Sequence, residues 1–305
     1  MSELLQGLRS LLDNTAEPFE KILKNALDCR VIKNTSLSRV VLFSLPENPE
    51  SRLVYKEISG GKTIGRRLRK SFSTPVCIKE ERNSRVLWER GFRVPEPITA
   101  LARRKWGIIR FSGYFSREIP ELNKTCSLRN CFSSKHAPCH PPVGSGSSSS
   151  AQPAGTNHGN SCTVKTLNNY LSEYRREKEG VYSLRYKRKL LRTLGETVGK
   201  LHNGFFYHGD LRANHLVLSL FSPEPEIGFI DCEAARIYNK KNRNWLIRDL
   251  RKLRKSTKGF QSRKVFTNCD KLRFFQGYAS GNNIERSQYK DYFRLINEPR
   301  NEWDS

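Results

Sequence analysis

No stretch of about 18 apolar residues occurs in this chain of 305 residues, so nothing in it is read as crossing a bilayer. Met1 to Arg30 lacks the apolar core and small-residue cleavage site of a secretion signal. Asp13, Glu17, Glu20 and Asp28 interrupt it, and an amphipathic segment of a cytoplasmic protein is expected instead. The eight cysteines contain no C-x-x-C pair, and scattered through a chain without a signal they argue against a disulfide framework. Cys126, Cys131, Cys139 and Cys162 fall near His136, His140 and His158, but the spacings fit no common zinc pattern, and incidental loop residues are the expectation. Acids are in short supply: 30 Asp and Glu stand against 55 Lys and Arg, a net charge of +25. That excess implies polyanionic company, whether nucleic acid, anionic lipid headgroups or phosphorylated substrates; a solvated basic surface is the plainer alternative. Few aromatics are interleaved with the basic clusters and no nucleic-acid motif is found, so no specific nucleic acid is expected. No internal repeat is evident.

What is present divides the chain. Met1 to Leu27 carries a helical stripe of Leu4, Leu5, Leu8, Leu11 and Leu12, continued by Phe19, Ile22, Leu23 and Ala26, which is read as core packing. Arg39–Leu45 and Leu53–Ile58 read as two strands joined by a turn over Pro46–Ser51. A helix is predicted over Lys79–Arg90, ended by Gly91, followed by strands over Val94–Ala100 and Gly107–Phe115. Cys126 to Cys162 is low in complexity, with Pro141, Pro142 and the run Ser147 to Ser150, and is read as a disordered insert between two halves. Beyond it, Leu167–Tyr174 is a short helical stretch. Ser183–Asn203 is a strong helix with Leu190, Leu191, Leu194, Val198 and Leu201 on one face, stopped by Gly204. Short strands over Leu216–Leu220 and Ile227–Ile230 follow, and from Trp245 onward the pattern is mostly helical.

The chemistry concentrates between Tyr207 and Ile237. The loop Y-H-G-D-L-R-A-N-H presents Asp210, and the next strand pair delivers Asp231 at its end. Two acids carried by one hairpin converge, as phosphoryl transfer requires: one orients the attacking hydroxyl and takes its proton, the other holds the Mg²⁺ that bridges phosphates.

His208-Gly209-Asp210-Leu211 resembles the catalytic loop of protein-kinase-like enzymes, and Asp231-Cys232-Glu233 stands in the place of their D-F-G element. The H-x-D-x-x-x-x-H spacing from His208 to His215 resembles the lipopolysaccharide core kinases of the Kdo/WaaP (InaA-like) family. There His215 takes the second metal-ligand position, with Asn214 the alternative if the loop register slips. Val54-Tyr55-Lys56 resembles the lysine-bearing strand, and the run Glu80 to Pro97 resembles the family's helix ending in V-P-x-P; on that register Glu80 is the implied ion-pair partner of Lys56, with Glu81 close behind. Arg248-Asp249-Leu250 through Ser256 resembles the family's R-D-L-x-x-L-x-x-S element, in which Asp249 would anchor the catalytic loop.

The resemblance implies an α+β, two-lobed protein-kinase-like fold: a small antiparallel-sheet N-lobe with one helix over 30–123, a mainly helical C-lobe over 163–305, a helical extension over 1–29 and the insert over 124–162. It implies an ATP-dependent kinase with Mg²⁺, in which Lys56 and Glu80 bind the nucleotide, His215 and Asp231 the metal, and Asp210 is the catalytic base. The implied acceptor is a Kdo or heptose hydroxyl of the lipopolysaccharide inner core, an anionic glycolipid met at the inner face of the inner membrane. There are departures. No G-x-G-x-x-G precedes Lys56, Gly209 replaces the arginine of H-R-D, and Cys232-Glu233 lacks the D-F-G glycine; the last two argue against an activation-loop switch. The basic run Arg248 to Lys264 reads equally as a lipid platform and as a solvated helix face. The rival readings are another small-molecule or atypical protein kinase, and a non-catalytic pseudokinase that binds nucleic acid or anionic lipid.

Overall fold

The computed structural model describes residues 8, 18–46, 48–59, 73–105, 108–119, 164–174, 182–220, 224–262 and 265–297. The expected insert at 124–162, its cysteines and histidines, and most of the N-terminal helical stretch lie outside them.

The N-lobe is one antiparallel sheet. In chain order its elements are α1 (Pro18–Asn25), β1 (Leu27–Asn34), β2 (Ser38–Leu45), β3 (Asn48–Ser59), α2 (Val76–Glu89), β4 (Glu96–Lys105) and β5 (Ile108–Arg117). The strand order is β1-β2-β3-β5-β4. Strand alternation sorts the side chains. Val41, Phe43, Leu53, Tyr55 and Phe115 face a core closed by Phe19 and Ile22 of α1 and by Leu8, while Leu42 and Val54 pack with Ile32 apart from it. Tyr55 stacks on Phe115 at 4.5 Å between ring centroids. α2 ends as its sequence indicates. Gly91 takes φ 77°, and the amides of Gly91 and Phe92 donate back to the carbonyls of Trp88 and Leu87.

Three expectations are corrected. The sheet has five strands rather than four, because β1 went unread. Its residues L-D-C-R-V-I-K-N are mostly exposed, and an edge strand wet on both faces has no apolar alternation to betray it. The helical extension therefore ends before Leu27, and the turn over Pro46–Ser51 is shorter than expected, since β3 begins at Asn48. The Leu184–Asn203 helix does stop at Gly204, as its sequence indicates; Gly204 has φ −76°, and it is Phe205 that takes the left-handed φ of 60°.

The C-lobe runs β6 (Val164–Thr166), α3 (Leu167–Glu173), α4 (Leu184–Asn203), β7 (Phe206–Tyr207), a 3-10 turn (Ala213–His215), β8 (Leu216–Ser219), β9 (Glu226–Phe229), a second 3-10 turn (Cys232–Ala234), β10 (Arg236–Ile237), α5 (Arg243–Ser262), α6 (Asn268–Gly281) and α7 (Tyr289–Asn297). Ser183 caps α4 by accepting from the Tyr186 amide. β6, β8 and β9 form a small sheet, and β7 pairs with β10, so the polar loop between β7 and β8 is held at both ends.

α4 and α6 cross through glycines spaced four apart on both helices. A Cβ at Gly195 would lie 2.0 Å from the Phe274 carbonyl oxygen, and one at Gly277 would lie 2.0 Å from that of Arg192; Gly199 and Gly281 are as tightly placed. Alanine gains about 1 kcal/mol over glycine in a helix, but overpacking against backbone costs about 1–3 kcal/mol. The clash is with main chain that cannot turn aside, so overpacking wins. Gly195→Ala and Gly277→Ala are each expected to lower the free energy of unfolding by about 1–2 kcal/mol in urea titrations. A neutral or stabilising effect of both would contradict this packing.

Candidate active site

Lys56 shares the cleft face of β3 with Val54, and its ammonium is ringed by acids from two other elements. It stands 2.8 Å from Glu80 of α2, 2.5 Å from Asp231 after β9, and 3.8 Å from Glu233. Burial acts to lower the Lys56 pKa, but the charges of Glu80 and Asp231 outweigh it and hold the ammonium protonated. Burial likewise acts to raise Asp231, yet the Lys56 charge and hydrogen bond keep its carboxyl below the ordinary carboxylate range. Asp231 reaches this position from a left-handed backbone, φ 63° and ψ 50°. Asn83 of α2 donates to the carbonyls of Cys232 and Ala235 at 2.9 and 3.1 Å, fastening the helix to the segment that carries Asp231.

The loop bearing Asp210 is held from beneath by one face of α5. Asp249, fully buried, accepts from the amides of His208 (2.7 Å) and Gly209 (3.1 Å). Lys252 donates to the Gly209 carbonyl, and Ser256 accepts from the Ala213 amide at 2.9 Å. Positions 249, 252 and 256 fall on one side of a helix. Gly209 itself has φ 78°, and a Cβ there would lie 2.1 Å from the Ala234 carbonyl oxygen, which accounts for glycine in the place of the arginine of H-R-D. The His208 ring meets the Ile230 carbonyl through Nε2 at 3.2 Å, and burial lowers its pKa, so it braces the loop as a neutral imidazole. His202 sits fully buried at the end of α4, 3.0 Å from the Tyr278 hydroxyl.

His215 lies between the two acids. Its Nδ1 is 2.8 Å from the Asp210 carbonyl oxygen and 3.6 Å from Asp210 Oδ2, and its Nε2 is 3.5 Å from Asp231 Oδ2. A carbonyl only accepts, so Nδ1 carries the proton and, in the neutral ring, the Nε2 lone pair faces a carboxylate. Two acceptors so opposed suit a divalent cation, and fixing one ring nitrogen on a carbonyl is the usual way a metal-binding histidine is oriented. Glu80, Asp231 and Glu233 also bring oxygens within 4.8 Å of one another, but the Lys56 ammonium stands among them. Asn214, the alternative ligand, is exposed and lines the same cleft. The Asp210 carboxylate is about one-quarter exposed, with Arg212 Nε donating to Oδ1 at 2.8 Å and Lys252 Nζ 3.7 Å away.

All five residues singled out from sequence thus border one space, and Lys56, Glu80, His215 and Asp231 line a cleft of about 490 Å³ between the lobes. Sequence reasoning missed Glu233, Arg212, Lys252 and Glu118. The first three sit within motifs already noted and could have been found there. Glu118 had no such signal. It follows β5 at the lobe junction, lines the cleft and is 2% exposed, and neither carboxylate oxygen has a hydrogen-bond partner among the described residues. The basic run of α5 is also less available than its count implies. Arg251 and Arg254 donate to the terminal carbonyls of α7; Arg254 stays exposed even so, as do Lys255 and Lys258.

Burial pushes the Glu118 carboxyl from 4.5 up to about 7, against the pull of Arg52 and Arg30. A folded-state pKa above the unfolded one contributes stability that is complete below about 4.5 and lost as pH rises through about 7. Glu118→Gln removes the titration. The variant is expected to gain on the parent protein as pH rises over that window, by up to about 3 kcal/mol, in urea unfolding followed against pH. A constant difference across the window would contradict the assignment.

No curated protein matches the chain by sequence. Among solved structures, "WaaP in complex with acyl carrier protein" superposes with TM-score 0.56 at 17% identity, covering 94% of this chain and 91% of the other. "Amicoumacin kinase hAmiN in complex with AMP-PNP, Ca2+ and Ami" superposes with TM-score 0.44 at 11% identity, over 97% and 86%. The model of the lipopolysaccharide kinase (Kdo/WaaP) family matches residues 163–278, from β6 through most of α6. Over that span the chain matches the lipopolysaccharide kinase (Kdo/WaaP) family, and its two lobes together take up the kinase-like fold that the catalytic-loop resemblance implies.

Proposed function

We propose that this protein transfers the γ-phosphoryl group of ATP to a sugar hydroxyl of the lipopolysaccharide inner core, on a Kdo or heptose residue. A phosphotransferase activity is supported by the family match over 163–278 together with the kinase-like fold. The observation that carries the proposal is His215, set between Asp210 and Asp231 at 3.6 and 3.5 Å, with Lys56 bound to the same Asp231. A base, a metal-binding pair and a phosphate-binding cation then share one small volume.

In this reading the nucleotide base enters the apolar slot between Val40 and Val54 of the sheet and Val217 and Ile230 below. Lys56, steadied by Glu80, meets the α- and β-phosphates. His215 and Asp231 would hold Mg²⁺, which when bound neutralises charge on the phosphates being separated. Asp210 accepts a hydrogen bond from the sugar hydroxyl, aims it at the γ-phosphorus and takes its proton as the bond forms. Arg212, already at Asp210, supplies positive charge where the transferred group gathers negative charge.

The anionic glycolipid acceptor and a peripheral station at the inner face of the inner membrane belong to the same proposal. They are supported by the net charge of +25 and by the exposed cations of α5, each worth about 1 kcal/mol beside an anionic surface. Among the described residues no helix is long and apolar enough to cross a membrane.

Asp210→Ala is expected to lower phosphoryl transfer by about 10²–10⁴-fold without unfolding the protein. The check is radiolabelled ATP offered in parallel with a lipopolysaccharide-core glycolipid, a mixed protein acceptor and small alcohols. Undiminished turnover in the variant would refute the base assignment, and label entering protein or simple alcohols but not glycolipid would refute the acceptor.

A further inference from the structure

We propose that the Glu118 carboxyl group reads the hydrogen-bonding edge of the nucleotide's purine, as a neutral acid for adenine and as a carboxylate for guanine. The inference rests on the reading of the interlobe cleft as the nucleotide site and adds to it the group that selects the base.

The case begins with position. Glu118 is the first residue after β5, where the chain leaves the sheet for the other lobe, and its amide donates to the Arg52 carbonyl at 3.0 Å. It shares the cleft wall with Val54, Val217 and Ile230, the apolar faces between which a flat base fits. The carboxyl group is a buried polar group at 2% exposure, yet neither oxygen has a hydrogen-bond partner among the described residues. Almost every buried polar group in a folded protein is satisfied, and one left open at the wall of a ligand cleft is matched by the ligand.

The chemistry of the two protonation states then decides what it matches. A neutral carboxyl offers one donor and one acceptor side by side; an ionised one offers two acceptors. Adenine presents its amino group beside a bare ring nitrogen, a donor next to an acceptor, and so pairs with the neutral acid. Guanine presents a ring N–H beside an amino group, two donors, and so pairs with the carboxylate, more strongly for the charge. The charged groups acting on Glu118 are Arg30 of β1 and Arg52 of β3. Lys33 of β1 lines the same cleft, as does Lys165 of β6, which is bound to Glu173. Burial opposes the two arginines and brings the group to about 7, so both forms are present near neutrality.

The test is calorimetric binding of the imido analogues of ATP and GTP, each with Mg²⁺, to the full chain at about pH 6 and about pH 8. Ionisation of the triphosphate is common to both nucleotides and cancels from their ratio. The preference for adenine over guanine is expected to fall by on the order of tenfold or more between the two conditions. Glu118→Gln, whose amide keeps one donor beside one acceptor at every pH, is expected to hold the adenine preference constant. A parent ratio indifferent to pH, or a Gln variant that keeps the parent's pH dependence, overturns the inference while leaving the nucleotide site standing. Failure of both analogues to bind at both pH values overturns the inference and the nucleotide site together.

Discussion

The site depends on a single half-buried cation. The Lys56 ammonium joins the sheet to α2 through Glu80 and to the C-lobe through Asp231, so the two halves of the cleft are held to one charge. An ammonium this enclosed is costly to desolvate, and removing one of its partners would leave an uncompensated charge worth about 3–5 kcal/mol. The arrangement is therefore tolerated for what it positions. It sets the acid of one lobe and the lysine of the other at a fixed separation, as the proposed nucleotide site requires.

The second constraint is the underside of the loop that carries Asp210. A loop that must stand still while exposing a carboxylate cannot use its own backbone bonds to do so. Here α5 supplies them, with Asp249 taking two main-chain amides and Lys252 and Ser256 one main-chain group each of the stretch from His208 to Ala213. Much of the basic character of α5 is spent the same way, on the loop and on the end of α7. The net charge belongs to the surface as a whole more than to this one helix.

Much of the fold could be read from sequence because its elements bury one face: β2, β3, α2 and α4 all show the period that burial imposes. β1 could not, since an edge strand with residues such as Arg30 and Lys33 satisfies no apolar pattern. The glycine seam between α4 and α6 is written plainly at 195, 199, 277 and 281, but its meaning lies in a crossing between helices far apart in the chain. In the site, Asp210, His215 and Asp231 were legible because short loops and one hairpin carry them together. Lys56 and Glu80 were legible only through resemblance, since no spacing ties them to a loop some 150 residues further on. Glu118 was not legible at all. An acid after a strand is ordinary in sequence, and only burial without partners sets it apart.

The double hydrogen bond of Asn83 has a consequence for how the protein is governed. Kinase-like folds are commonly turned off by swinging the glutamate-bearing helix away from the lysine. Here that swing would strip a buried amide of two carbonyl partners, at a cost of roughly 1–3 kcal/mol, before the ion pair is counted. A penalty of that size biases the two positions by roughly 5–150-fold. The chain is thus built without a ready second position for α2.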